Sequence, residues 1–330
     1  MKILHLINSA EIKRGGAQKI LHQITLASPE TQEVFGIFHT QDSNTRMNNL
    51  LWPFRLLRRI IVSRPSIVVA HSRIFLPAIF ALEKFTSIKT VFICHNLFID
   101  KHWFFRFFKI KNYVAISNTV KEYLSAYISP NSITTIFNGT HFNSSTKLED
   151  CSSDEQTFQV AYIGSLNKVK GVDIAISALN SFTNSTGRKV VFHVVGDGPE
   201  IDSLKSQAAA GHISVLFHGY SENPFSLIKK VGLVLIPSLY EGFCLVLVES
   251  IINGKAVFAS DLPVLIEVAA GVSTVRHFPT GSESGLLRLL IDHSTPLPPR
   301  EERLKSSLIA SELYSLERMQ KNYINYFKSI

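Results

Sequence analysis

The sequence predicts an α/β protein made of two Rossmann-like domains, each a parallel sheet flanked by helices, facing each other across a cleft. Short unbroken runs of Val, Ile, Leu and Phe alternate with segments of helical spacing. That is the pattern of strands buried on both faces and joined by crossover helices. The same grammar repeats in each half of the 330 residues, a length sufficient for two medium domains with a core apiece. Between the halves, residues 143–157 are polar and poor in apolar side chains, as a linker is. The expected boundaries are 1–145 for the N-terminal domain, 146–157 for the linker and 158–303 for the C-terminal domain. Residues 304–330 carry Leu308, Leu313, Leu316, Met319, Tyr323 and Tyr326 at helical spacing. They are expected to form a C-terminal helix that crosses back to brace the first domain.

In the first half, strands are expected at 2–7, 32–38, 66–70, 88–94, 112–116 and 132–136. In the second they are expected at 158–163, 189–195, 213–217, 232–236, 256–259 and 273–277. The opening run Ile3 to Ile7 follows Lys2 directly and is too short for a secretory signal, so it reads as the first buried strand. Although 45% of the residues are hydrophobic and mean hydropathy is +0.15, the longest apolar run, Ile74 to Leu82, contains Pro77. It falls far short of the ~20 residues of a spanning helix. Cys94, Cys151 and Cys244 have no metal-like or redox spacing, which suits inert thiols in a reducing cytoplasm.

Charge is unevenly placed. Residues 1–148 hold 18 Lys+Arg against 7 Asp+Glu, whereas the rest of the chain is net −3. The excess implies an anionic partner for the first half. No helix-turn-helix, zinc or RNA-recognition pattern accompanies it, which argues against nucleic acid. Two amphipathic segments supply an alternative. In 50–61, Leu50, Phe54, Leu57 and Ile61 form a stripe flanked by Arg55, Arg58 and Arg59. In 101–109, Trp103, Phe104, Phe107 and Phe108 share one side, with His102, Arg106 and Lys109 opposite. Aromatic and basic residues in that arrangement dock on anionic bilayer surfaces.

The chemistry concentrates at predicted strand ends. After the strand ending at Ile236, the segment Pro237-Ser238-Leu239-Tyr240-Glu241-Gly242-Phe243-Cys244-Leu245 leads to Glu249, with seven residues between the two carboxylates. Carboxylates accept hydrogen bonds from paired hydroxyls, so a sugar and a ribose are natural guests there. Lys168-Val169-Lys170-Gly171 precedes a predicted helix from Ile174, a place where backbone amides, helix dipole and an ammonium converge on a diphosphate. Gly196-Asp197-Gly198-Pro199-Glu200 closes another strand but lacks the third glycine of a dinucleotide fingerprint. Phe217-His218-Gly219-Tyr220 follows, with backbone groups suited to a nucleobase. In the first half, Arg14-Gly15-Gly16 precedes a helix and Cys94-His95-Asn96 ends a strand. The first lets backbone approach a phosphate or sugar, and the second places a histidine on a cleft edge.

Taken in order over roughly residues 1–280, these motifs, with Ser117, Asn138-Gly139 and Gly164-Ser165-Leu166, resemble the large retaining GT-B glycosyltransferases of family 4 (group 1). The most specific part is Pro237-Ser238 with Glu241 and Glu249. The resemblance implies a metal-independent, cofactor-free hexosyltransferase that takes a nucleoside-diphosphate sugar and transfers its sugar with retention. It implies catalytic roles for His95, Lys170 and Glu241: His95 over the sugar on the acceptor side, Lys170 on the diphosphate, Glu241 on sugar hydroxyls. It implies donor contacts at Gly15, Gly16, Ser165, Gly196, Tyr220, Gly242, Phe243, Cys244 and Leu245, with Glu249 on the ribose. Where the family commonly has arginine, this chain has Ser165, so one phosphate-binding cation is missing there, with Lys168 or Arg14 as substitutes. The segment after Glu267 also looks compressed. The resemblance places the enzyme in surface polysaccharide biosynthesis (O-antigen, capsule or lipopolysaccharide), cytoplasmic or peripheral on the inner membrane face, with a glycan or lipid-linked saccharide acceptor. The alternative motivated by Ser165 is a weakly active or inactive sugar-nucleotide or lipid-binding partner protein.

Overall fold

The structure is a computed structural model, and it describes residues 1–9, 16–28, 31–38, 51–98, 103–141, 157–293 and 298–330. Two six-stranded, wholly parallel sheets organise it. The chain divides into two units, Met1–Gly139 with Leu316–Ile330, and Thr140–Ser315.

The first unit holds β1 (Ile3–Ser9), α1 (Gly16–Leu26), β2 (Gln32–Phe38), α2 (Trp52–Ser63), β3 (Ile67–Ala70), α3 (Leu76–Phe85), β4 (Lys89–Cys94), α4 (Trp103–Phe107), β5 (Tyr113–Ala115), α5 (Asn118–Ser125) and β6 (Ile133–Thr135). Its strand order is β2-β1-β3-β4-β5-β6. The central strands are buried along their length because both faces are covered.

The second unit holds β7 (Thr157–Ile163), α6 (Val172–Thr186), β8 (Lys189–Val195), α7 (Ile201–Ala209), β9 (Ser214–Gly219), α8 (Pro224–Leu227), β10 (Leu233–Ile236), α9 (Leu245–Ile252), β11 (Ala256–Ser260), α10 (Pro263–Val268), β12 (Val275–Phe278), α11 (Glu283–His293) and α12 (Arg300–Leu313). Its order, β12-β11-β10-β7-β8-β9, is that of a doubly wound dinucleotide-type fold. Helix α6 shows how the sequence builds it. Val172, Ala175, Ile176, Leu179 and Phe182 recur at three- and four-residue steps and are buried against the sheet. Full burial of a side chain such as Leu179 or Phe182 contributes about 1.5–3 kcal/mol. The helix stops at Gly187, which takes the left-handed conformation (φ 70°).

All twelve expected strands are present, with boundaries displaced by at most about three residues. The expected linker lies outside the described residues, apart from Thr157, which opens β7. The terminal segment differs from one continuous helix. It is α12 followed by α13 (Leu316–Ser329), with a break at Tyr314 and Ser315. The break has a hydrogen-bonded cause: the Thr140 amide donates to the Tyr314 carbonyl at 3.0 Å, and Thr140 bridges Ser315. Tyr314 also sets its ring edge-on to Phe243, with centroids 5.5 Å apart. Helix α12 packs on α9 in the second unit, whereas α13 packs on α1 in the first. There Gln320 donates to the Gln23 carbonyl at 2.7 Å.

Candidate functional site

In the second sheet, β7 lies between β8 and β10, so strand order reverses between β7 and β10. Outside the carboxyl ends of the strands at such a switch point, an open α/β sheet leaves a crevice for ligand. The segments leaving these two strands are those that carry Lys170 and Glu241. A 3₁₀ turn at 168–170 follows β7, and Gly171 closes it in the left-handed conformation, φ 63°. A Cβ on Gly171 would sit 2.1 Å from the Pro237 carbonyl oxygen, so glycine lets the two loops touch. The Leu239 amide donates to the Val169 carbonyl at 2.8 Å and fastens them.

Here Lys170 Nζ donates to Glu241 Oε1 at 2.6 Å, and Ser238 Oγ donates to the same oxygen at 2.9 Å. The pair is largely shielded, with side chains 24% and 10% exposed. Burial alone would lower the lysine's pKa. The Glu241 carboxylate outweighs it, so the ammonium is held above its ordinary value and stays charged. The result is a fixed cation beside a carboxylate whose Oε1 already accepts two bonds.

Cys244 precedes α9 with φ 71° and ψ 78°, a left-handed conformation uncommon for a residue with a Cβ. Burial pushes its thiol pKa far up, the Glu241 carboxylate adding to the effect, which removes it as a nucleophile. Gly242 is buried, Phe243 spends its ring on the core, and Leu245 opens α9 half-buried. Glu249 lies on α9 and accepts from Thr140 Oγ1 at 3.1 Å.

Ser165 is exposed directly after β7 and its hydroxyl accepts from Asn167 Nδ2 at 3.0 Å, with exposed Lys168 three residues on. The glycines after β8 serve packing: a Cβ on Gly196 would meet the Gly164 oxygen at 1.8 Å, and one on Gly198 the Leu166 oxygen at 2.2 Å. Tyr220 is half-exposed just past β9.

In the first sheet, order reverses between β1 and β3. Gly15 lies outside the described residues, and Gly16 opens α1 with open space where a Cβ would be. His95 follows β4 and is not alone. Its Nε2 is 2.7 Å from His71 Nδ1, and His71 Nε2 is 3.0 Å from His5 Nδ1. His5 Nε2 is 2.9 Å from Gln32 Oε1. Burial pushes His5 and His95 down to about 4, the Gln32 bond opposing the shift at His5. His71 is lowered by burial first and then by its two ring neighbours. Cys94, beside His95, is buried and its thiol is pushed up to about 12.

The amphipathic segments expose apolar residues instead of burying them all. On α2, Phe54, Leu57, Ile61 and Val62 are exposed and only Leu56 and Ser63 are buried; Leu50 lies outside the described residues. Arg59 pairs with Glu33 at 2.9 Å and Arg55 lies over the Phe35 ring. On α4, Phe105 faces the core while Trp103 and Phe107 are exposed. Among the described residues, no helix is long and apolar enough to cross a membrane.

Sequence reasoning missed Ser238 and Thr140 as partners of the two glutamates, and His5 and His71 behind His95. For His71 a signal was available, because it follows β3 as His95 follows β4.

Comparison with known proteins gives consistent matches. A family profile described as Glycosyl transferases group 1 matches residues 145–292, and one described as Glycosyltransferase Family 4 matches residues 19–143. The O-antigen biosynthesis glycosyltransferase WclY of Escherichia coli is 32% identical over 105 residues, which span 31% of this chain and 28% of that protein. An uncharacterized 41.2 kDa protein in the cps region of Klebsiella pneumoniae is 22% identical across 99% of this chain and 100% of its own. Among solved structures, Anabaena Alr3699/HepE in complex with UDP and glucose superposes with a TM-score of 0.79 at 18% identity, covering 100% of both chains. The lipopolysaccharide outer core galactosyltransferase WaaB, apo form, gives 0.71 at 16% identity, again over 100% of both.

Proposed function

The chain belongs to the group 1, family 4 glycosyltransferases and has the GT-B fold, and from that premise we propose that it moves a hexose from a nucleoside-diphosphate sugar to a glycan or lipid-linked acceptor, with retention and without a metal. The observation that carries this reading is the Lys170–Glu241–Ser238 cluster at the β7/β10 switch point. As the bond from the anomeric carbon to the diphosphate breaks, negative charge develops on the leaving group. The acceptor oxygen bonds to the same carbon, and its proton passes to the departing diphosphate oxygen. A pre-positioned ammonium and backbone amides lower the energy of that charge. Lys170 is assigned to the diphosphate, the Glu241 carboxylate to sugar hydroxyls, the backbone of 242–245 to the sugar and Glu249 to the ribose. Gly196 and Tyr220 contribute backbone toward the nucleotide, and Gly15 and Gly16 leave room for phosphate. His95 is assigned to the sugar on the acceptor side. Lys168 supplies the second cation where Ser165 replaces the family's arginine.

A role in surface polysaccharide assembly is supported by the O-antigen and cps-region relatives, and the reading places the enzyme in the cytoplasm at the inner membrane face. The exposed apolar and basic residues of α2 and α4 supply an anionic-membrane surface in this reading. Incubation with donor and acceptor followed by proton NMR of the product tests the reaction: an anomeric configuration matching the donor supports it, and inversion refutes it. Co-sedimentation with anionic vesicles tests the surface. Changing Arg55, Arg58, Arg59, Arg106 and Lys109 to Ser is expected to abolish pelleting, and unchanged pelleting removes the membrane from the account.

A further inference from the structure

His5, His71 and His95 lie on one face of the first sheet. In the parallel ladder His5 is opposite Val69 and Val69 opposite Val91. Side chains alternate with a period of two, so positions 71, 93 and 95 share the face of position 5. The three rings, one from β1 and two from just past the ends of β3 and β4, thus form one hydrogen-bonded line anchored at Gln32. Its inner end is sealed: His5 and His71 are buried, and Phe327 of α13 sets its ring at 6.2 Å to His5.

The direction of every bond follows from the anchor. Gln32 Nε2 donates to the Ile24 carbonyl at 3.2 Å, because the reverse amide orientation would oppose two oxygens. Gln32 Oε1 therefore faces His5 and can only accept, so His5 carries its proton on Nε2. A neutral His5 then has a bare Nδ1, which requires a donor at His71 Nε2. His71 in turn offers a bare Nδ1, which requires a donor at His95 Nε2. Each ring is neutral in this arrangement, as the burial of His5 and His71 demands. His95 is left with its Nδ1 lone pair outside the line.

We propose that His5 and His71, anchored by Gln32, are positioning residues that lock His95 in the Nε2–H tautomer and present its Nδ1 as a hydrogen-bond acceptor. The catalytic consequence rests on the role proposed above for His95. A hydroxyl of sugar or acceptor donates to that nitrogen, and the line selects guests that offer a donor there over guests that offer only acceptors.

The test is a long-range proton–nitrogen NMR spectrum of the full chain labelled with ¹⁵N-histidine, the His95 signals being assigned by their loss in His95→Gln. The wild-type protein, which needs no variant to fold, is expected to show His95 with protonated Nε2 and unprotonated Nδ1. The opposite tautomer overturns the proposal. In His71→Leu, His95 is expected to become a mixture of tautomers and transfer to fall on the order of 10-fold. His71→Gln, which keeps one donor and one acceptor, is expected to restore a single tautomer and most of the rate. A single unchanged tautomer in His71→Leu, or a full rate alongside a mixed one, overturns it as well. If the wild-type protein transfers no sugar, the proposed function fails while the tautomer still decides this inference.

Discussion

The Lys170–Glu241 pair makes a quantitative prediction through a double-mutant cycle. Lys170→Met leaves the Glu241 carboxylate, 10% exposed, without its cation, with only the Ser238 hydroxyl and the Cys244 thiol beside it. Removing one partner of a fully buried pair costs about 3–5 kcal/mol, and the 24% exposure of Lys170 reduces this to about 2 kcal/mol. Glu241→Leu leaves both an ammonium and the hydroxyl of buried Ser238 without their acceptor. It is expected to cost about 3 kcal/mol, the extra from the unsatisfied hydroxyl. Replacing both by apolar side chains removes the uncompensated charge, so Lys170→Met with Glu241→Leu is expected to lose only about 1–2 kcal/mol. The readout is thermal unfolding. At about 2–4 °C per kcal/mol for a unit of this size, the single variants fall by roughly 4–12 °C, and the double falls less than Glu241→Leu alone. Transfer is expected to behave differently: all three variants lose about 10²–10³ in kcat/KM, because the double regains stability but not the cation. Additivity of the two stability losses within ~0.5 kcal/mol refutes the coupling. A double variant with wild-type turnover refutes the role in chemistry.

Two further predictions concern acid and backbone. His5 is held neutral with its pKa at about 4 against 6.5 unfolded, so the unfolded chain takes up the proton first. Stability from this group is complete above pH 6.5 and is lost as pH falls toward 4, by about 3 kcal/mol, which urea unfolding at pH 7, 5.5 and 4 will register as a falling midpoint. A flat profile in the wild-type chain, or a fall of the same size in His5→Leu, contradicts it. Gly196→Ala brings a Cβ against the Gly164 carbonyl and is expected to cost more than about 3 kcal/mol. Gly219→Ala, left-handed at φ 73° but in open space, is expected to cost only about 1–2 kcal/mol, and equal Tm shifts for the two would refute the packing argument.

The strands were legible because parallel strands covered on both faces are continuous apolar runs, from Ile67–Ala70 to Leu233–Ile236. The placement of Glu241 and Lys170 after strand ends was legible for a related reason, because both follow such apolar runs; that they pair with each other was not. The break between α12 and α13 was not, since no Gly or Pro lies within 304–330. A backbone bond from Thr140, far away in sequence, ends the helix. His5 was hidden for the opposite reason to Glu241. Set between Leu4 and Leu6 it reads as one polar residue in a buried strand, and only the sheet register reveals its alignment with His71 and His95. The left-handed Cys244 was equally invisible, because nothing in Phe243-Cys244-Leu245 announces a positive φ.

The most direct test of the central claim is binding and slow hydrolysis of a panel of UDP-, GDP-, ADP- and TDP-sugars, followed by thermal shift and product release, with Glu241→Ala alongside. The account predicts one nucleotide sugar that raises Tm and is hydrolysed by the wild-type chain, with both effects lost in the variant. A folded wild-type chain that responds to no donor, or a donor whose binding and turnover survive in Glu241→Ala, would contradict it.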